Sequence, residues 1–269
     1  QAGGGYPGYA RTGRLQPIAD AAALERARER AGGAAARWRG HAWAIERAPA
    51  PGSDAWTPLS ATGWLVRDTL SARLHPGRAC AALAEAIAAQ GGEITREAQD
   101  AGAVVHATGW RGLASLRGAD GRPAGAGVKG QAALLRLDRC AEPQIYAERL
   151  HVVPHADGTV AIGSTTERDW TDPGSTGAAL DDVLARARAA VPALADATVL
   201  RRWAGIRPRA RTRSAMLGAL PGRSGDWIAN GGFKIGFGLA PLAGEVMAEL
   251  VLEGREERIP EAFRPEASL

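Results

Sequence analysis

The apolar positions change period several times along the chain. Between residues 78 and 90, Ala, Leu and Ile recur on one helical face ahead of Gly91-Gly92, which predicts an amphipathic helix with a glycine stop. A second helix is predicted over 20–30, with Asp20 as N-cap and Gly32-Gly33 as stop. Two more are predicted over 181–190, ending at Val191-Pro192, and over 240–252, closed by Gly254. Shorter apolar or alternating runs at 62–66, 93–95, 103–107, 131–137, 144–154, 159–163 and 227–229 read as strands, with Asp157-Gly158 as a hairpin turn. Residues 1–17, 47–63 and 118–130 are rich in Gly, Pro and other polar or small residues without a period and read as loop. Hairpin-paired strands in the middle, flanked by βα units, predict a two-part protein of α/β plus antiparallel sheet.

Composition narrows the class. Of 269 residues, 45% are hydrophobic and 23% charged, enough to build a core and inconsistent with a wholly disordered chain. Apolar runs fall short of the roughly 18 residues a membrane span needs, and the chain does not open like a secretory signal. A cytoplasmic protein with no membrane partner is therefore expected. The net charge is +4, but acidic residues are interspersed nearly everywhere and the densest basic stretch, 201–213, holds a single aromatic, Trp203, so nucleic acid is not an expected partner. Cys80 and Cys140 have neither CxxC nor Cys/His spacing. Two buried thiols are expected, with no disulfide framework and no metal site. Lys129 and Lys234 are the only lysines in a chain that otherwise uses arginine.

Two segments match G-x-G-x-x-G: residues 3–8 and residues 125–130. Neither follows a predicted strand or opens a predicted helix, the context a dinucleotide loop requires, so both read as products of a Gly-rich composition. His151 and His155, with Asp157 nearby, are too few for a metal site without a third ligand placed by sequence. The strongest constellation lies in the last quarter, where Trp203-Ala204-Gly205-Ile206-Arg207-Pro208 is followed by Asn230-Gly231-Gly232-Phe233-Lys234-Ile235-Gly236. A glycine-dense turn that enters a helix offers unpaired N–H groups and a positive dipole end to a delocalised anion. A guanidinium beside proline suits a substrate carboxylate. A structural glycine turn with a solvated arginine fits the same residues, and the pattern alone leaves both readings open.

Four ordered segments resemble the FAD-dependent D-amino acid oxidase superfamily, particularly its glycine oxidase and sarcosine oxidase-like members. They are Arg11-Thr12-Gly13-Arg14-Leu15; Ala103-Val104-Val105-His106-Ala107-Thr108-Gly109-Trp110; His151-Val152-Val153-Pro154 through Ile162-Gly163-Ser164-Thr165; and Trp203 onward as quoted. The resemblance implies an FAD-binding domain split along the chain and a substrate domain on an antiparallel sheet. Its expected division is a substrate-domain segment and connection at 1–61, an FAD-domain segment at 62–117, the substrate-binding sheet at 118–203 and a C-terminal FAD-domain segment at 204–269. It also implies an FAD-dependent oxidoreductase that moves a hydride from the Cα–H of a small amine or amino acid to flavin, giving an imine, with oxygen or another electron acceptor taking the electrons.

By position, Thr108, Gly109 and Trp110 are then expected near FAD, and Gly231, Gly232, Phe233, Lys234 and Ile235 along the flavin. Arg207 is expected on the substrate carboxylate, with Lys234 and His151 as further active-site residues. His151 stands where relatives frequently carry tyrosine. The family's opening βαβ with its diphosphate-binding glycine loop has no counterpart before Tyr9, which implies that this segment lies outside the present chain. The rival expectation is a truncated or degenerate, non-catalytic binding module of the same fold.

Overall fold

The computed structural model describes residues 5–50, 55–97 and 101–269. Gly3 and Gly4 of the first glycine motif lie outside the described residues. The chain divides into two units, one of residues 1–96, 131–165 and 175–203, the other of residues 97–130, 166–174 and 204–269.

The first unit begins with β1 (Arg14–Pro17). The Asp20 carboxylate then accepts from the Ala23 amide at 2.7 Å and starts α1 (Ala21–Arg37). This helix runs through Gly32-Gly33 instead of stopping there. Ala34 is buried on its inner face, and that burial offsets the cost of about 1 kcal/mol per helical glycine. β2 (Trp43–Arg47) and β3 (Trp64–Asp68) follow, and Ala27, Val66, Trp43 and Ile45 form a small core beneath α1. The helix α2 (Pro76–Ala89) has proline at its first turn and ends at Gln90, close to the predicted span. Strand β3 and α2, grouped in the sequence reading with residues up to 117, lie in the first unit.

The second unit starts with β4 (Val104–His106) and the short α3 (Gly109–Ser115). Next comes β5 (Gly125–Arg136), so a strand occupies much of what reads as loop. Its residues 125–130 belong to the second unit and 131–136 to the first. The predicted strand over 144–154 is two strands, β6 (Gln144–Ala147) and β7 (Leu150–Pro154), joined where Glu148 and Arg149 take positive φ. β8 (Thr159–Gly163) and α4 (Ala178–Ala190) match their expected positions. A long β9 (Thr198–Ala210) and β10 (Met216–Ala219) are not foreseen by hydropathy, whereas β11 (Asp226–Asn230) and α5 (Gly236–Glu253) are. Residues 93–95, expected as a strand, form none.

The large sheet has the order β2-β3-β1-β6-β7-β8-β5-β9. β1 and β6 are parallel, while the pairs β6/β7, β7/β8 and β5/β8 are antiparallel. In the first unit Leu15, Leu135, Ile145, Val152 and Ile162 pack with Leu180, Val183 and Leu184 of α4. Trp56, 2% exposed, joins them and donates its indole N–H to the Pro143 carbonyl at 3.0 Å. In the second unit a smaller sheet of order β10-β11-β4 pairs β11 antiparallel to β10 and parallel to β4. Leu217 packs there with Val246, Met247 and Leu250 of α5. Cys80 is exposed and Cys140 half-buried, so neither is the buried thiol expected; each sits where the chain meets solvent, Cys80 on the outer surface of α2.

One buried polar pair gives the first unit a pH dependence. The His155 ring is 4% exposed and lies 4.5 Å from the His75 ring, whose Nδ1 accepts from the Arg78 amide and caps α2. Burial first, then the neighbouring His75, lowers the His155 pKa to about 4. The folded protein thus binds the proton less readily than the unfolded chain, whose histidine titrates at about 6.5. The stability is complete above that value and falls as the pH drops toward 4. Thermal melts from pH 7.5 to 4.5 should show a falling Tm whose slope flattens in His155→Gln; equal slopes in the two proteins would refute the assignment.

Candidate functional site

The expected cofactor residues converge in the second unit. β4 ends at His106 and the chain turns through Ala107, Thr108 and Gly109, where Gly109 takes φ +63°. β11 runs parallel to β4 and ends at Asn230, followed by Gly231 at φ +76°. The Asn230 side chain joins the two turns, its Nδ2 donating to the Gly109 carbonyl at 3.0 Å while its Oδ1 accepts from the Gly231 amide at 2.7 Å. With donor required on one side and acceptor on the other, the amide orientation is fixed by its partners. Asn230 is 8% exposed, so both bonds are shielded from water.

Beyond Gly231 the backbone is tightly folded. A Cβ on Gly232 would lie 2.9 Å from the Gly236 Cα. Phe233 is held at φ +45°, a conformation that costs a bulky residue about 1–3 kcal/mol. Its amide donates to the Pro208 carbonyl at 3.1 Å, and Arg209 bridges Gly232. The chain then enters α5 at Gly236 with no side-chain cap, so the first-turn N–H groups and the positive end of the helix dipole face this turn. Gly109, Pro208, Asn230, Gly231, Gly232, Phe233, Lys234 and Phe237 line a cavity of about 380 Å³. Phe237 is 56% exposed and Ile235 60%, apolar surface that a planar ring would cover. Backbone donors, glycine-lined walls and exposed apolar rims fit the flavin part of FAD. Lys234 is exposed, with its ammonium 5.6 Å from the centre of the Phe233 ring. Trp110 packs edge-on to Trp170 at 5.2 Å.

Arg207 sits one residue before Pro208 on β9, half-buried. Its Nη1 donates to the Lys129 carbonyl at 3.4 Å. Burial lowers the guanidinium pKa, opposed by the charge of Glu167. Lys129 itself is 4% exposed, donates its ammonium to the Asp172 carbonyl at 2.7 Å, and exchanges two backbone bonds of 2.9 Å with Glu167. His151, the remaining expected residue, lies on β7 of the first unit, exposed and tilted against Tyr146 at 4.8 Å. His155 is turned inward against His75, and among the described residues no group of three His, Cys, Asp or Glu is arranged for a metal. No helix among the described residues is long and apolar enough to cross a membrane.

Residues 1–250 match the protein family described as FAD dependent oxidoreductase. The chain belongs to this family. It is 35% identical to a glycine oxidase of Pseudomonas putida over 147 residues, which are 53% of this chain and 39% of that one. A glycine oxidase of Bacillus subtilis is 30% identical over 109 residues, 40% of this chain and 29% of that one. Each alignment therefore spans well under half of these relatives. The fold is similar to that of an iminodiacetate oxidase from a Chelativorans species, with a TM-score of 0.80 at 21% identity over 96% of this chain and 76% of that one. A glycine oxidase from Geobacillus kaustophilus gives a TM-score of 0.77 at 21% identity over 96% and 75%.

Sequence reasoning missed Asn230 as a site residue, reading it only as part of a turn. An asparagine at a strand end directly before two glycines is the available signal, because its short amide readily bonds local backbone. Replacing Asn230 by alanine leaves the Gly109 carbonyl and the Gly231 amide without this partner, and is expected to cost about 1–3 kcal/mol in urea denaturation. Asn230→Asp, which keeps the acceptor but loses the donor, should fall between the two proteins.

Proposed function

We propose that this protein is an FAD-dependent oxidoreductase that oxidises a small amino acid or related amine at its Cα. The carrying observation is the Gly109/Asn230/Gly231 junction opening onto the N-terminus of α5, with Arg207 one residue from the Pro208 that closes the same cavity. On this reading residues 108–110 and 231–235 hold the flavin, and of the expected cofactor segments 62–117 and 204–269 the part within 97–117 joins 204–269 in a cofactor domain split along the chain. When bound, FAD supplies the two-electron acceptor for the hydride that leaves Cα. The catalytic work of the chain is orientation and charge. Arg207 takes the substrate carboxylate through paired N–H donors and so fixes which face of Cα is presented. The amine must lose a proton as the Cα–H bond breaks, and the imine formed then hydrolyses in water to a carbonyl compound and ammonia. Oxygen or another acceptor receives the electrons.

Lys234, next to the cradle, is assigned the task of stabilising negative charge on the cofactor or substrate. His151 keeps its role as a candidate for the substrate-pocket wall on sequence grounds, and the expected division at 118–203 makes its strand part of the substrate sheet. The relatives named glycine oxidase support glycine-sized amino acids as the first substrates to try.

The test is the visible spectrum of the purified protein, followed by steady-state kinetics with glycine. Flavin absorption and ammonia release are expected. Arg207→Ala should raise KM roughly 10- to 100-fold, as loss of hydrogen bonds to a charged group implies, with a smaller change in kcat. A colourless protein that added FAD cannot reconstitute would sink the proposal and favour a non-catalytic module.

A further inference from the structure

The second glycine motif, residues 125–130, is neither loop nor dinucleotide site but the first half of β5. None of its three glycines needs a left-handed backbone, because none has positive φ. What each requires is the absence of a side chain, and the obstacle differs in kind at each position. A Cβ on Gly125 would strike the backbone of Arg209 and lie 2.9 Å from the Ala210 Cα. A Cβ on Gly127 would meet the Ile206 side chain, the Trp170 ring at 3.2 Å and the Trp110 ring at 3.3 Å. A Cβ on Gly130 would fall on Nη1, Nη2 and Cζ of Arg207 together. The Nη end of the guanidinium therefore occupies the space that the missing Gly130 side chain leaves open.

The floor under Arg207 is held firmly. Lys129, whose carbonyl accepts from Arg207, is tied to Glu167 by two backbone bonds and to Asp172 through its ammonium. The Trp170 indole donates to the Gly127 carbonyl at 3.2 Å. A displaced guanidinium could not take this platform with it. Gly125 thus sets how closely the two strands approach, whereas Gly130 sets where a charged side-chain end comes to rest.

We infer that Gly130 is a positioning residue for Arg207: its bare backbone and the adjacent Lys129 carbonyl fix where the guanidinium comes to rest to receive a carboxylate, and so select amino acids over amines that lack one. This rests on the reading of Arg207 as the carboxylate clamp. A bidentate pair needs both donors placed together, so a methyl group in the space taken by the Nη end displaces the fork from its partner without removing the charge. Because the Gly130 obstacle is the mobile end of a side chain, Gly130→Ala should move Arg207 and leave the fold intact.

The experiment compares Gly130→Ala, Arg207→Ala and the double variant with the parent, each carrying its flavin. The readouts are Tm, flavin absorption, kcat and KM for glycine and for an amine without a carboxylate, and acetate affinity by calorimetry. For Gly130→Ala we expect a Tm within about 3 °C of the parent, equivalent to less than about 1 kcal/mol. Flavin absorption should be unchanged, KM for glycine should rise roughly 10- to 100-fold, as misplacement by about 1 Å implies, and acetate should weaken in parallel. Turnover of the simple amine should be unaffected, and Gly130→Ala should add nothing further in the Arg207→Ala background. If Arg207→Ala raises KM and Gly130→Ala does not, the positioning role is overturned and the clamp survives. An unchanged KM in Arg207→Ala overturns the clamp, and the inference with it. Should Gly130→Ala fail to fold, the double variant decides: normal folding there identifies Arg207 as the obstacle and supports the inference, while failure of both shows a backbone requirement and overturns it.

Discussion

Two backbones brought together without side chains between them govern the geometry of the second unit. β9 lies against the glycine half of β5, where Gly125 and Gly127 leave room for Arg209, Ala210 and Ile206. The other side of β9 is engaged by the cradle turn, through the Pro208 carbonyl bonded to the Phe233 amide and the Arg209–Gly232 bridge. One strand thus carries the half-buried Arg207 and, in Pro208, one wall of the cavity at adjacent residues. A shift of β9 by a fraction of an ångström would be transmitted to both, because strand backbones bonded on two sides move as a unit.

The cradle is maintained by polar satisfaction more than by apolar packing. Asn230 supplies a donor and an acceptor where β4 and β11 end, and Thr108 folds back over Gly112, at which a Cβ would overlap its side chain. The strain at Phe233 is offset in part by its bond to the Pro208 carbonyl. The uncapped start of α5 is then oriented by the same bonds that hold the turn.

The parts of this arrangement visible in the sequence are those with local causes. The 3.6-residue period and flanking Pro and Gly place α2, α4 and α5 closely, and Asp20 marks the start of α1. The Ala-Thr-Gly and Asn-Gly-Gly turns are legible because positive φ selects glycine. β9 is not, because Arg201, Arg202, Gly205, Arg207, Pro208 and Arg209 leave no alternation of apolar residues; it is a strand because a partner is available. Residues 125–130 misled for the complementary reason. Glycine was read for its freedom to turn, while its use here is close approach within an extended chain. The Asn230 bond to Gly109 spans 121 residues and has no local trace beyond the asparagine itself.

The two lysines show how the same side chain is used in opposite ways. Lys234 is exposed beside the cavity, whereas Lys129 is buried with its stem inside the protein and its ammonium on a backbone carbonyl. Half-burial of Arg207 lowers its pKa, and the charge of Glu167 opposes that shift. An anion placed beside a half-buried guanidinium offsets part of its desolvation, whereas a cationic amine adds like charge. On the proposed reading, the electrostatics of the strand pair favour presentation of a substrate carboxylate to Arg207, with the amine turned away from it.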